Sequence, residues 1–145
     1  MNDNQIVFTV PNVYLGKILP GTKHSIQFEF EGPANLIEDM VPSCGCTANL
    51  AITSNKITGT YHDNTALDYN TIQRLPKVGE DRVHEISKSI AIYLADGKPL
   101  KVQNERGLMV YNPEKTKIWL YLHGTVRFTP NIVQNIQNNS NKAKK

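Results

Sequence analysis

The chain lacks the features that would mark secretion or insertion into a membrane. It is 145 residues long and contains two cysteines and one tryptophan. No apolar run approaches the roughly 20 residues of a membrane-spanning helix. The first ten residues, MNDNQIVFTV, have neither a basic segment nor a small-residue cleavage site. We therefore expect synthesis in the cytoplasm without a signal peptide, and no membrane partner.

The charge of the chain is too small and too scattered to predict a nucleic-acid partner. The formal net charge is +3 at pH 7, and part of it lies in the closing NKAKK, so the remainder of the chain is closer to neutral. A nucleic-acid-binding surface needs basic residues gathered on one face, and no such stripe is present. We expect no direct contact with nucleic acid.

Motifs for common enzyme chemistry are also missing. The sequence has no glycine-rich phosphate-binding loop and no Gly-x-Ser-x-Gly motif. Acidic residues in the middle of the chain do not follow the alternating oxygen pattern of a calcium loop, and none of the four histidines forms a paired ligand motif. We therefore predict no enzymatic activity and no cofactor.

What the sequence does have is alternation of apolar and polar residues, the pattern of half-buried strands. In HSIQFEFEG, the side chains of Ile26, Phe28 and Phe30 share one face and the intervening polar side chains share the other. The alternation recurs in NKITGTYHD, ISKSIAIYL and KIWLYLHGTVRF. The last of these is apolar on both faces, which predicts a strand that is central or covered.

These strands, separated by turn segments such as LPGT and ADGKP, predict an all-β chain folded as a two-sheet sandwich over residues 1–129. The polar stretches 63–85 and 103–116 are too long for simple hairpin turns and are predicted as two loop insertions. Residues 130–145 form an Asn- and Lys-rich tail. We expect a flexible arm there, with a short helix docked on a partner as the alternative.

Five segments resemble successive blocks of the bacterial family catalogued as domain of unknown function 1573. They are VYLGKILPGTKHSIQFEFEG, LIEDMVPSCGCTA, KITGTYHDN, SKSIAIYLADGKPLKV and LYLHGTV. The Ser-Cys-Gly-Cys-Thr block at 43–47 is the most specific of these, and the resemblance covers about residues 13–126. It implies an immunoglobulin-like β-sandwich and no catalytic activity. Members of that family usually carry a signal peptide or lipoprotein start, which this chain lacks.

Cys44 and Cys46, separated by Gly45, admit several roles. A disulfide would close a very short ring, zinc would need histidines recruited from elsewhere, and redox chemistry would need a low-pKa thiolate beside a base. We favour packing, with both cysteines as small apolar residues in a tight turn that Gly45 permits. A thiol or metal-binding protein that holds zinc or copper(I) through Cys44 and Cys46 is the alternative.

Extended loops and a polar arm favour docking on other proteins over binding in a pocket. We expect a non-enzymatic structural protein of a large assembly, with other structural proteins as partners. By analogy the assembly is a phage virion, in which the chain would be an auxiliary capsid, neck or tail protein present in multiple copies. The candidate anchors are Tyr69, Leu75, Met109 and Tyr111. A monomeric carbohydrate- or envelope-binding module that uses Trp119 and Tyr121 is a further alternative.

Overall fold

The computed structural model describes residues 5–143. It is mostly β, with 53% strand and 13% helix, so the prediction of a β-rich fold is confirmed. In chain order the strands are β1 (Val7–Phe8), β2 (Asn12–Ile18), β3 (Lys23–Glu31), β4 (Ile37–Pro42), β5 (Thr47–Thr53), β6 (Lys56–His62), β7 (Lys77–Val78), β8 (Asp81–Leu94), β9 (Lys101–Gln103), β10 (Met109–Tyr111) and β11 (Lys117–Phe128). The helices are a 3₁₀ turn (Ala34–Leu36), α1 (Tyr69–Ile72) and α2 (Pro130–Ala143).

The strands form two main sheets and a separate hairpin. One sheet has the order β1-β3-β6-β5, and the second has the order β2-β11-β8-β4 with β7 added beside β8. Strands β9 and β10 pair only with each other among the described residues. Strand β2 runs parallel to β11, whereas the other pairs are antiparallel. This architecture is compatible with the predicted sandwich.

The core lies between the two main sheets because each contributes one apolar face. On the first sheet, Phe28 and Phe30 of β3 and Ile57 of β6 are buried. On the second, the isoleucines of β8 and alternate residues of β11 are buried, and these apolar side chains belong to the same cluster. KIWLYLHGTVRF was predicted to be central or covered, and the first alternative is confirmed, since β11 lies between β2 and β8. The side chains of β11 that point away from the core therefore lie at defined positions on the outer face of the second sheet.

The two stretches predicted as loop insertions contain regular structure. The first includes α1, whose N-terminus is capped by the Asp68 carboxylate accepting from the Thr71 backbone N–H at 2.7 Å. It also includes β7 and the start of β8. The second includes most of the β9–β10 hairpin. At its turn the Asn104 side chain accepts from the Arg106 and Leu108 backbone N–H groups.

The tail also differs from the prediction of a flexible arm, because Pro130–Ala143 form helix α2. Proline suits the first helical position, and the Thr129 hydroxyl accepts from the Ile132 backbone N–H at 3.3 Å. Ile132, Val133 and Ile136 pack against the core cluster. These residues are spaced so that they share one helix face, and the helix docks on the chain's own α1 and β11. No helix within residues 5–143 has the length and apolarity needed to cross a membrane.

Candidate functional site

The turn between β4 and β5 holds the two cysteines, and the structure joins Cys44 to Cys46 as a disulfide. The expectation of packing is confirmed, since Cys46 is buried in the core cluster and Cys44 packs against it, but the expectation that both are free thiols is wrong. The chain reverses at this turn, where the Thr47 backbone N–H donates to the Cys44 carbonyl at 3.3 Å. The reversal brings the two Cα atoms to 5.2 Å, a separation common among disulfides. The backbone turn thus allows two cysteines that are close in the sequence to form a disulfide.

This bond removes the thiolates that the metal-binding alternative requires. Thiolates, not disulfides, are the soft ligands of zinc and copper(I). Among residues 5–143, no group of three or more histidine, cysteine, aspartate or glutamate side chains is placed to hold a metal ion. The part of the chain that the structure describes therefore gives the metal-binding alternative no support.

Thiol titration tests the bond. In protein purified in air without reductant, we expect no reactive thiol in denaturant and two after reduction, because Cys44 and Cys46 are the only cysteines. The variant Cys44→Ser should show one thiol in both conditions. Reduction should lower the free energy of unfolding by only about 1–2 kcal/mol, since the closed loop is so short. Two thiols titrating before reduction would contradict the assignment.

The four predicted anchors lie in different settings. Tyr69 is half-buried in α1, and Leu75, just beyond that helix, packs against the core. Met109 and Tyr111 both lie on β10. Met109 is exposed, whereas Tyr111 is half-buried at the foot of the hairpin. The structure therefore brings the second pair together on one strand and leaves the first pair in the α1 region.

The free end of the β9–β10 hairpin carries three consecutive exposed apolar residues, which we call the hairpin tip: Leu108, Met109 and Val110. Their side chains are 59%, 61% and 36% exposed. Leu108 and Val110, together with Val102, line a groove of about 540 Å³ on one side of the hairpin. Sequence reasoning selected Met109 but not its two neighbours, although the run GLMV is itself the signal.

The foot of the hairpin is fixed to the second sheet through Tyr111. Its ring stacks on Tyr93 of β8 with centroids 4.9 Å apart. The Tyr111 hydroxyl donates to Asp39 Oδ2 at 2.8 Å, and this bond to Asp39 raises the pKa of the tyrosine above its ordinary value. The Lys101 ammonium lies 5.0 Å from the centre of the same ring. The hairpin therefore leaves the body of the domain in a defined direction.

A buried ammonium group, which the sequence did not predict, ties the same region together. The Lys115 side chain is 1% exposed and contacts Glu38 and Asp96. It donates to Asp96 Oδ1 at 3.0 Å and to the Lys98 carbonyl at 2.8 Å. With Glu38, these acceptors occupy the three N–H donors of the ammonium. We call this group of residues the Lys115 cluster.

The pKa values of the cluster reflect this pairing. The hydrogen bond to Glu38 is the main cause that raises the pKa of Lys115. The backbone N–H of Thr116, assisted by Lys115, holds the pKa of Asp96 well below its ordinary range. The cluster links the start of β4 to the loops on either side of the hairpin, so it positions the hairpin without belonging to an exposed site.

The outward face of the second sheet carries a row of aromatic side chains, which we call the aromatic face: Tyr14, His123, Tyr121 and Trp119. Tyr14 is 75% exposed, Trp119 44% and Tyr121 37%. The ring centroids of Tyr14 and His123 are 4.9 Å apart, and those of His123 and Tyr121 are 6.3 Å apart. Sequence reasoning selected Trp119 and Tyr121 but missed Tyr14, which alternates with the half-buried Val13 and Leu15 along β2.

A groove of about 400 Å³ lies beside Tyr14 and His123. It lies at a β-bulge, where Leu15 and Gly16 of β2 oppose a single residue of β11 and Gly16 has a φ of 72°. Polar side chains complete its lining: Glu85, Ser87 and Thr125. The Glu85 carboxylate accepts from the Thr125 hydroxyl at 2.9 Å.

The polar groups at this groove form a hydrogen-bonded relay. Ser87 Oγ lies 3.3 Å from His123 Nδ1, and Asn12 Oδ1 lies 2.9 Å from His123 Nε2. Since an amide oxygen only accepts, His123 Nε2 donates to Asn12 Oδ1, and Ser87 Oγ is the hydrogen-bond partner of Nδ1. A hydroxyl, an imidazole and an orienting group are the parts of a nucleophilic site. Here they lie on an open sheet face and not in the water-excluded environment that gives such groups catalytic power, which favours binding.

Comparison with known proteins adds no relative. No family model, curated protein or solved structure matches the chain. The resemblance to the domain of unknown function 1573 family therefore stays a prediction, as does the immunoglobulin-like classification of the sandwich.

Proposed function

We propose that this chain is a non-enzymatic interaction domain that binds neighbouring proteins of a larger assembly through the hairpin tip. The observation that carries the proposal is the exposure of three consecutive apolar residues, Leu108 to Val110, in a hairpin that pairs with neither main sheet. Clustered exposed apolar side chains of this kind are typical of protein–protein contacts.

The anchoring of the hairpin supports the proposal. A two-stranded hairpin alone is marginally stable in water, and ordering such an element on binding costs free energy. Here the Tyr111–Tyr93 stack and the Tyr111–Asp39 hydrogen bond fix the foot of the hairpin before any partner arrives. The tip is thus presented in a preorganised form, which favours specific binding.

The particular assembly is proposed on sequence grounds. A short single domain, Asn-rich composition and long segments between core strands suit an auxiliary capsid, neck or tail protein of a phage virion. In that setting copies of the chain would contact other structural proteins, with the hairpin tip inserted into an apolar pocket of the neighbour. Products of adjacent genes are therefore the first partners to test.

Light scattering of mixtures tests the proposal. We expect the wild-type chain to form a complex of defined mass with the product of an adjacent gene. The double variant Leu108→Ser and Met109→Ser should weaken that association by at least about tenfold, since apolar anchors at the centre of an interface carry most of its binding energy. Neither side chain belongs to the buried core, so the variant should retain its melting temperature.

The matched control is Val10→Ser with Val78→Ser, which removes two other exposed apolar side chains, 59% and 52% exposed. This control should bind like the wild type. A chain that stays monomeric with every adjacent gene product would contradict the proposal. Equal weakening by the control pair would show that the hairpin tip is not the contact.

A further inference from the structure

The aromatic face is a second surface, distinct from the hairpin tip in both place and chemistry, and we propose that it binds an extended, uncharged glycan. The site consists of the exposed rings on β2 and β11 and the polar groove beside Tyr14. This inference goes beyond the interaction proposed for the hairpin and does not depend on it.

The composition of the face favours a sugar over an aliphatic partner. Within the described residues, the exposed large apolar side chains on this part of the sheet are all aromatic: Tyr14, Trp119 and Tyr121. None of the exposed apolar residues of the hairpin tip, in contrast, is aromatic. Aromatic rings combine an apolar surface with polar tips, so they can cover the C–H faces of a pyranose while its hydroxyl groups remain solvated.

The groove supplies the hydrogen-bonding groups that sugar hydroxyls need. The Glu85 carboxylate receives one hydroxyl, that of Thr125. A carboxylate has about four lone-pair positions, so it retains acceptor capacity toward the groove. The hydroxyl oxygens of Ser87 and Thr125 add further hydrogen-bond acceptors. A carboxylate with hydroxyl groups beside an exposed tyrosine ring suits a polyhydroxylated ligand, whereas an anionic ligand would be repelled by Glu85.

The geometry of the row favours an extended glycan chain over a compact or helical one. Trp119, Tyr121 and His123 occupy alternate positions of one strand, so their side chains project from the same side of the sheet. Tyr14 extends the row sideways onto β2, directly opposite His123. A ligand that contacts both Trp119 and the groove must run along β11 for several sugar units.

Cellopentaose, an extended oligomer of glucose, is the probe that tests the inference. Trp119 is the only tryptophan of the chain, so its fluorescence reports directly on this face. We expect a saturable change in that fluorescence with a dissociation constant of about 0.1–1 mM, the strength expected of a shallow, open site. Maltopentaose, which has the same sugar units in a helical chain, should bind at least about fivefold more weakly.

Variants locate the binding and separate it from the hairpin. Tyr14→Ala, at an exposed edge-strand position, should weaken cellopentaose binding by at least about tenfold while the melting temperature stays unchanged. Leu108→Ser with Met109→Ser should leave cellopentaose binding unchanged. Absence of saturable binding to the wild-type chain, equal binding of maltopentaose, or unchanged binding by Tyr14→Ala would each overturn the inference. None of these results bears on the protein contact of the hairpin.

Discussion

Replacing Lys115 with alanine should lower the melting temperature by about 10 °C, an effect of the size expected when one member of a buried ion cluster is removed. The ammonium satisfies Glu38, Asp96 and the Lys98 carbonyl at once. Without it, a carboxylate that is 17% exposed loses its counter-charge. Thermal unfolding followed by circular dichroism measures the change. Lys98→Ala, which removes an exposed ammonium bonded to the Glu114 carbonyl, is the matched control and should shift the midpoint by no more than about 2 °C.

A pH series gives a second readout of the Lys115 cluster. The pKa of Asp96 is lowered from an ordinary 3.8 in the folded chain. The folded state then binds fewer protons than the unfolded state, so this contribution to stability is present above pH 3.8 and is lost as pH falls through the folded pKa. We expect wild-type stability to fall below about pH 4, and Asp96→Asn to lose less over the same interval. Equal acid sensitivity of the two proteins would contradict this role for Asp96.

The strand framework was predictable from the sequence because burial on one face imposes a two-residue period. Ile26, Phe28 and Phe30 alternate with polar residues in the sequence and are buried in the structure. The apolar character of both faces of β11 likewise predicted a central strand, and β11 pairs on both sides. Its outer aromatic residues are not covered by another segment, since Trp119 and Tyr121 are exposed.

The Lys115 cluster could not be predicted because its partners are distant in the sequence. Lys115 stands in the polar segment YNPEK, where a lysine ordinarily remains solvated. Its carboxylate partners, Glu38 and Asp96, come from two other segments of the chain. The Cys44–Cys46 disulfide was not predicted for a different reason, because the spacing of two cysteines in the sequence does not show how tightly the backbone turns between them.

The foot of the hairpin lies next to one end of the aromatic face. Tyr111 stacks on Tyr93, and the Lys117 ammonium lies 5.6 Å from the centre of the Tyr93 ring and 5.9 Å from that of Trp119. One lysine thus bridges the residue that anchors the hairpin and the end of the aromatic face.

The strongest test of the tail is the double variant Ile132→Ser and Ile136→Ser, which should reduce the free energy of unfolding by about 2 kcal/mol. Both side chains are half-buried, share one face of α2 and pack against the core cluster. Helix α2 contacts α1, whose Ile72 is fully buried. Loss of this packing should destabilise the chain even though α2 comes after the last strand. Chemical denaturation of the full chain measures the effect.

Asn131→Ser with Asn135→Ser is the matched control, because both asparagines lie on the exposed side of the same helix. Like the isoleucine variant, it introduces two serines into α2. It should alter the free energy of unfolding by no more than about 0.5 kcal/mol. If both double variants unfold like the wild type, residues 130–143 are the flexible arm that their Asn-rich composition predicted. If only the isoleucine variant is destabilised, the apolar spacing of Ile132, Val133 and Ile136 outweighs that composition, and α2 belongs to the folded domain.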